Sequence, residues 1–229
     1  VCDLARRDAI DPIVSPGVVP SMHEHDFAGN LDVGPASTGD QLRAGPTNCD
    51  ADDDRSAYWY PTIRRNGVPV DPDHVVVYYR APPDVTAVVA LPIGLELVGG
   101  GAEGTFGWTC GGGRLAATPP ASCPAGDALR LHVAFPECWD GRPDWDAAAP
   151  SAVAATAAGC PAAFPQRLPQ IELVVHTGLT GALGDVDVSS APHAPPHADA
   201  IVAWTDGRLP DALARCLADH VECPGGAGS

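Results

Sequence analysis

The chain has 229 residues, 29 acidic and 13 basic, for a formal net charge of −16, and 45% of its residues are hydrophobic. That is enough apolar material for one packed domain over residues 1–229, while the surplus negative charge repels phosphate and argues against a nucleic-acid partner. Every basic residue is arginine, so lysine is removed from any catalytic scheme. No apolar run reaches the ~18 residues of a membrane helix, because the best stretch, 85–98, is interrupted by Pro92, Gly94 and Glu96.

Taken in chain order, the first dense polar segment is Ser-Met-His-Glu-His-Asp-Phe-Ala-Gly-Asn at 21–30. If it is extended, His23 and His25 share one face and Glu24 and Asp26 the other, since alternate side chains of a strand point the same way. Asn30 follows a glycine that lets the backbone turn. Runs rich in β-branched and aromatic residues predict strands at 57–63, 74–80, 85–90, 128–135 and 170–176. Asn66-Gly67 predicts a tight turn between the first two. In Tyr58-Trp59-Tyr60 the tyrosines oppose the tryptophan, and one of the two faces is expected to be core. The glycine runs at 99–101 and 111–113 lack a basic residue to hold phosphate and read as flexible turns.

Further along, Phe-Pro-Glu-Cys-Trp-Asp-Gly at 135–141 sets Trp139 beside Asp140. Such a pair can stack on a sugar ring and bond its hydroxyls, and Trp139 can equally be a core residue packed on a disulfide. Residues 147–158 have helical propensity, but Pro150 interrupts them and they read as a loop insertion. His197 and Asp199 again stand two apart, so a strand there aims both side chains one way. Leu209, Leu213, Cys216, Leu217 and His220 recur near a period of 3.6, with Pro210 and Asp211 at the start, and predict a helix at the C-terminal end. With 25 prolines and 25 glycines scattered between short elements, the expected fold is mostly β: a single β-sandwich or jelly-roll-like domain with long loops, one C-terminal helix and disulfides.

Cysteines stand at 2, 49, 110, 123, 138, 160, 216 and 223, an even set without C-x-x-C doublets. Disulfides between near neighbours suit the loops best: Cys110 with Cys123, Cys138 with Cys160, Cys216 with Cys223, leaving Cys2 for Cys49. Because cytosolic thiols are kept reduced, such bridges place the protein outside the cytoplasm, as a secreted protein. A monomer is expected.

No G-x-S-x-G elbow, phosphate loop or H-E-x-x-H helix is present. The order of the motifs S-M-H-E-H-D-F-A-G-N, S-A-Y-W-Y-P, V-V-Y-Y-R, F-P-E-C-W-D-G, C-P-A-A-F-P-Q-R-L-P-Q and H-A-D-A-I-V-A-W resembles a family catalogued as domain of unknown function number nineteen ninety-six. The resemblance runs over roughly 20–216. It implies secreted fungal or actinobacterial proteins, in fungi often beside cell-wall or carbohydrate-binding modules. The family pattern falls on His23, His25, Gly29 and Asn30, on Cys138, Trp139, Asp140 and Gly141, and on His197 and Asp199. Two departures stand out: the stretch after C-W-D-G reads Asp-Trp-Asp-Ala-Ala-Ala-Pro-Ser from Asp144, where many relatives carry an Asp-His-Lys-Ser-His-like segment, and Phe164 stands where they carry a histidine.

Three functions compete. The first is a glycoside hydrolase acting on a cell-wall polysaccharide or oligosaccharide, with no cofactor. Its acids would come from Asp26, Asp140, Asp199 and Glu24, with His23, His25, Asn30, Trp139 and His197 binding substrate; such chemistry needs two carboxyl groups about 5 to 9.5 Å apart. The second is a divalent-metal hydrolase site made by His23, His25, His197 and Asp199, a nitrogen and oxygen set that suits zinc. The third is a non-catalytic wall-binding domain, which the two departures favour.

Overall fold

A computed structural model describes residues 1–80, 89–101, 105–191 and 196–205. In chain order its elements begin with β1 (Leu4–Asp8), β2 (His25–Gly29), helix α1 (Gly39–Ala44), β3 (Ala57–Pro61), β4 (Ile63–Arg65), β5 (Val68–Pro69) and β6 (His74–Arg80). There follow β7 (Glu96–Gly100), β8 (Thr105–Cys110), β9 (Ala128–Ala134), β10 (Cys138–Trp139), β11 (Ala152–Val153) and β12 (Gln166–Arg167). The last are β13 (Gln170–Thr180), β14 (Val186–Val188) and β15 (His197–Ile201).

Period-two alternation explains how the two largest sheets meet. Along β9, Leu129, Leu131 and Val133 are buried while the residues between them are partly exposed. The buried side chains of the sheet β6-β13-β9-β8 join Ala28, Tyr58, Tyr60, Leu97, Ala198 and Ala200 of the sheet β1-β2-β3-β15-β7 in one apolar cluster. This is the face-to-face packing of a sandwich, with every pairing in both sheets antiparallel.

The five-stranded sheet is also covered on its outer face. Phe27, Trp59 and Ile201 pack there against Ile10, Ile13, Val33 and Leu42, which the 10–45 segment folds over the sheet. Tyr58, Trp59 and Tyr60 are therefore all fully buried, and the expectation of one core face gives way to two. A sheet with both faces covered reads as a continuous apolar run, not as an alternation.

The strands expected at 74–80, 128–135 and 170–176 are β6, β9 and β13. The run 57–63 divides at Thr62 into β3 and the start of β4: its N–H donates to the Glu24 carbonyl, in register with the β2–β3 ladder, and its carbonyl accepts from Ser189 N–H, in register with the β4–β14 ladder. Asn66 and Gly67, with φ of 52° and 77°, close the hairpin between β4 and β5. Gly99 and Gly100, expected to lie in a flexible turn, belong to β7 and pair with β15; a Cβ on Gly99 would stand 3.0 Å from the Phe135 ring, so close packing is what calls for glycine there. Of the run 85–90, residues 85–88 lie outside the described residues and 89–90 are not strand. The expected helix at 209–220 and its bridge Cys216 to Cys223 also lie outside them.

The other three expected bridges form: Cys2–Cys49, Cys110–Cys123 and Cys138–Cys160. Disulfides of this number persist in oxidising compartments. Among the described residues no helix is long and apolar enough to cross a membrane.

Candidate functional site

Strands β2 and β15 flank β3, and the odd-numbered residues of all three share the outer face of the sheet. Phe27 and Asp199 both sit opposite Trp59, and His25 sits opposite Pro61. Because Pro61 offers only a compact ring at that level of β3, His25 and His197 lean together, with ring centroids 5.6 Å apart. His23, one alternation earlier on the same side of the chain, brings its ring to 4.3 Å from His25 and 5.3 Å from His197. The side-by-side spacing read at 23 and 25 and at 197 and 199 thus assembles a three-histidine cluster at one end of the buried outer face.

A fourth segment completes it. Asp11, at the start of the loop between β1 and β2, brings its carboxylate to 4.0 Å from His25 Nε2. One donor atom from each of His23, His25 and His197 lies within 4.8 Å of the others, and Asp11, His25, His197 and Asp199 form a second, overlapping group of the same kind. Ligands of a tetrahedral zinc ion stand roughly 3.4 Å apart, so a small closure of these side chains would serve.

The hydrogen bonds behind the cluster fix which atoms face its centre. His25 Nδ1 lies 2.9 Å from the Ile10 carbonyl; a carbonyl can only accept, so Nδ1 carries the hydrogen and Nε2 keeps its lone pair. His197 Nδ1 lies 2.7 Å from Asp199 Oδ2, which leaves His197 Nε2 as the outward nitrogen. His23 Nε2, His25 Nε2 and Asp199 Oδ1 are all buried without a hydrogen-bond partner. Imidazoles braced from behind by a carbonyl or a carboxylate, with the other nitrogen free, are the usual support of metal-binding histidines.

Burial and the neighbouring histidines His23 and His197 push His25 far below its ordinary range. Burial also lowers His23, with His197 adding to the effect. Burial opposes charge on His197 as well, but the carboxylate and hydrogen bond of Asp199 outweigh it and raise His197 to about 9. Asp199 is itself raised by burial, partly offset by His197. The cluster is therefore a place that stabilises one positive charge between two buried carboxylates and two neutral imidazoles.

The remaining sequence candidates lie elsewhere. Asp26 projects from the opposite face of β2, where Arg7 Nε donates to it at 2.6 Å and Thr62 Oγ1 at 2.9 Å. Glu24 pairs loosely with Arg64 at 3.8 Å, and its carbonyl accepts from Ser189 Oγ. Asn30 is buried and knits loops: its Nδ2 donates to the Leu42 and Arg55 carbonyls, and its Oδ1 accepts from the Asp32 N–H. Trp139 packs in the main core and donates to the Arg142 carbonyl, while Asp140 pairs with Arg142 at 2.7 Å. The segment following Asp140 docks on Glu96, at the far end of β7 from the Gly100 that pairs with His197, about 13 Å away along the strand.

Asp11 escaped the sequence reading because it has no partner at strand or helix spacing. It stands alone in Ala-Ile-Asp-Pro-Ile-Val and reaches the site only through the fold of its loop. The one local signal is a turn-forming acid: Asp11 Oδ1 accepts from the N–H groups of Ile13 and Val14, as aspartates at turn starts do.

Comparison with known proteins gives one match. The family model described as domain of unknown function (DUF1996) matches residues 11–190, a span that includes Asp11, His23 and His25 and stops short of His197 and Asp199. No curated protein and no solved structure matches the chain.

Proposed function

The chain belongs to this family of domains of unknown function, and we propose that it is a secreted, metal-dependent hydrolase acting on an extracellular polysaccharide. His23, His25 and His197 hold a divalent transition ion such as zinc. The observation that carries the reading is the convergence of three imidazoles, two of them braced from behind at Nδ1, with unpartnered buried nitrogens on His23 and His25. Left empty of any cation, such an arrangement costs the protein desolvated polar atoms with nothing in return.

A divalent ion held by His23, His25 and His197, with His197 giving up its proton on binding, would supply a Lewis acid and an activated water for hydrolysis. Asp11 then stands where a general base is needed, with Oδ1 anchored to its turn and Oδ2 turned to the cluster. Asp199 holds His197 in orientation. His23 and His197 are only partly buried, so the cluster lies near the surface on their side, with His23 Nε2 and His25 Nε2 themselves buried. The extracellular setting rests on the three disulfides.

The test is metal binding and its link to hydrolysis. Protein stripped with a chelator should take up one equivalent of zinc in calorimetry, His25→Ala should abolish uptake, and release of reducing sugar from wall glucans should follow metal occupancy. Absence of any binding tighter than about 10 μM, roughly −7 kcal/mol, for zinc, copper, cobalt and manganese would refute the metal site.

A second reading is favoured by the closeness of Asp11 and Asp199, whose donor oxygens lie within 4.8 Å in a setting that raises Asp199. A buried carboxyl group with raised proton affinity beside a second carboxyl group is the equipment of a glycosidase, and the separation here lies just under the ~5 Å of a retaining pair. Sugar release that survives chelation but is lost in both Asp11→Asn and Asp199→Asn would select this reading.

A further inference from the structure

The outer face of the sheet β6-β13-β9-β8 carries a second set of reactive side chains. Leu129, Leu131 and Val133 of β9 turn inward, so Arg130 and His132 turn outward, and His132 meets Glu172 of β13 on one side and Thr109 of β8 on the other. Neither neighbour is directly opposite: Glu172 pairs with Ala134 and Thr109 with Arg130, so both contacts run diagonally across the ladder. Gly107 stands directly beside His132 and, lacking a side chain, leaves the ring free to lean toward Thr109. His132 Nδ1 lies 3.1 Å from Glu172 Oε1, and its Nε2 lies 3.0 Å from Thr109 Oγ1. The second Glu172 oxygen accepts from Arg80 Nε at 2.6 Å. The His132 hydrogen bond, and then Arg80, hold Glu172 below its ordinary range against the opposing effect of burial. The carboxylate can only accept, so Nδ1 carries the hydrogen and the neutral ring turns a lone pair on the Thr109 hydroxyl. That hydroxyl has one hydrogen and two acceptors in reach, His132 Nε2 and the Gly111 carbonyl at 2.9 Å.

We propose that Thr109, His132 and Glu172 form an acyl-transfer site that cleaves esters of a short carboxylic acid. A hydroxyl, an imidazole and a carboxylate linked in that order are the equipment for it: a weak nucleophile, the base that takes its proton, and the group that orients the base. Thr109 Oγ1 adds to the ester carbonyl carbon while its proton passes to His132 Nε2. The ester C–O bond then breaks, His132 gives the proton to the departing alcohol, and the acyl group stays on Thr109. Water next attacks the acyl carbon and gives a proton to His132, which hands it to Thr109 as the carboxylic acid leaves. Arg130 stands directly opposite Thr109 with its Nε buried and without a hydrogen-bond partner, a donor available to the oxygen that becomes negative. Thr109 is 6% exposed and lines a cavity of about 310 Å³ whose walls include Ala116, Pro120 and Pro124, with Arg114 and Asp127 giving one charge of each sign. That volume is at the small end for ligand pockets, which limits the acyl group to a short one. The site lies on the other outer face of the sandwich from the histidine cluster and does not rest on the metal reading.

The chain with its disulfides intact should be incubated with p-nitrophenyl acetate and with a fluorophosphonate, with and without a chelator, then quenched in acid and mapped by mass spectrometry. An adduct on Thr109 that forms in the presence of chelator is expected. Its rate of formation should fall about 10² to 10⁴-fold in His132→Gln, with thermal unfolding of the variant as the check on its fold, and Thr109→Ser should carry the adduct at the same position. Absence of an adduct on residue 109 in both the unaltered chain and Thr109→Ser overturns the inference, as does labelling that His132→Gln leaves unchanged. Ester hydrolysis that a chelator abolishes, with no adduct on Thr109, belongs to the histidine cluster and also overturns it. Glu172 acts through His132, so its readout is the imidazole: in Glu172→Ala the ring 15N signals of His132 should pass to the Nε2–H form as labelling slows. Signals and rate both unchanged would overturn its place in the site.

Discussion

Replacing Asp199 by asparagine separates a metal site from a structural ion pair. Asp199 is fully buried; one oxygen receives the His197 Nδ1–H at 2.7 Å and the other has no partner. Asparagine keeps the shape and still accepts the hydrogen bond through its carbonyl oxygen, but it removes the charge that strengthens His197 as a ligand. Loss of such support lowers metal affinity about 10- to 100-fold, or ~1.4 to 2.7 kcal/mol. The metal-free fold should weaken at neutral pH, because His197 loses the carboxylate that holds its proton; a broken buried pair costs up to ~3 to 5 kcal/mol, and less where His197 turns neutral. The assays are zinc competition against a chromophoric chelator and thermal unfolding of the stripped protein. Zinc affinity equal to that of the unaltered protein, or a stripped variant unfolding far below it with affinity intact, would show that the pair serves the fold alone.

Two further outcomes follow from other parts of the structure. Asn30→Ala removes three hydrogen bonds, one of them buried, to Leu42 of α1 and to the loops after β2 and after α1, at about 1 to 3 kcal/mol for each buried group left unsatisfied. Its urea midpoint should fall clearly while zinc affinity is unchanged; unaltered stability would return Asn30 to the list of binding residues. His176, stacked on His74 with ring centroids 4.2 Å apart, is lowered to about 4 by burial, then by His74 and Arg130. The folded state therefore prefers the neutral ring, and the unfolded chain binds the proton first as pH falls. Its contribution is fully present above the ordinary histidine range near 6.5 and is lost progressively as pH drops toward 4. His176→Gln should narrow the gap between the urea midpoints at pH 7 and pH 5, and a gap as wide as the original refutes the assignment.

What could be read in advance divides along the length scale of the interactions. The two-residue spacings at 23 and 25 and at 197 and 199 depend only on a strand's alternation, and the structure brings both pairs to one place. The strands β6, β9 and β13 were legible for the same local reason, as were the near-neighbour bridges Cys110–Cys123 and Cys138–Cys160, which left Cys2 for Cys49. The sheet order was not: β15 pairs with β3 across some 140 residues of sequence, and no local pattern records which strands meet. Helix α1 has six residues, too few for a 3.6 period to register, and its one written signal is the Thr38 N–H donating to the Gln41 side chain, the return half of a capping box. Asn30 looked like a site residue because a polar side chain beside glycine can serve a ligand or the backbone equally well. Only the positions of the Leu42 and Arg55 carbonyls decide between them.

Two buried carboxylates, Asp26 and Asp54, set beside Asp199 show why the histidine cluster reads as a ligand site; Glu137 also keeps one oxygen without a bond, but its other oxygen faces the Arg167 cation at 3.4 Å. Asp26 is fully buried, yet it receives two bonds from Arg7 and one from Thr62. Asp54, buried as deeply, receives the Ser56 N–H and the Tyr58 hydroxyl, and that hydroxyl meets Tyr79 in turn. In both places the fold has met the demand that a desolvated carboxylate makes for hydrogen-bond donors. Asp199 sits on the same sheet as Asp26, in a rigid strand pairing on both sides, with one oxygen left over and two histidine nitrogens in the same state beside it. A sequence able to saturate Asp26 on β2 could do so on β15, so unspent polar capacity at one spot, with lone pairs on His25 Nε2 and Asp199 Oδ1, describes the place of a cation.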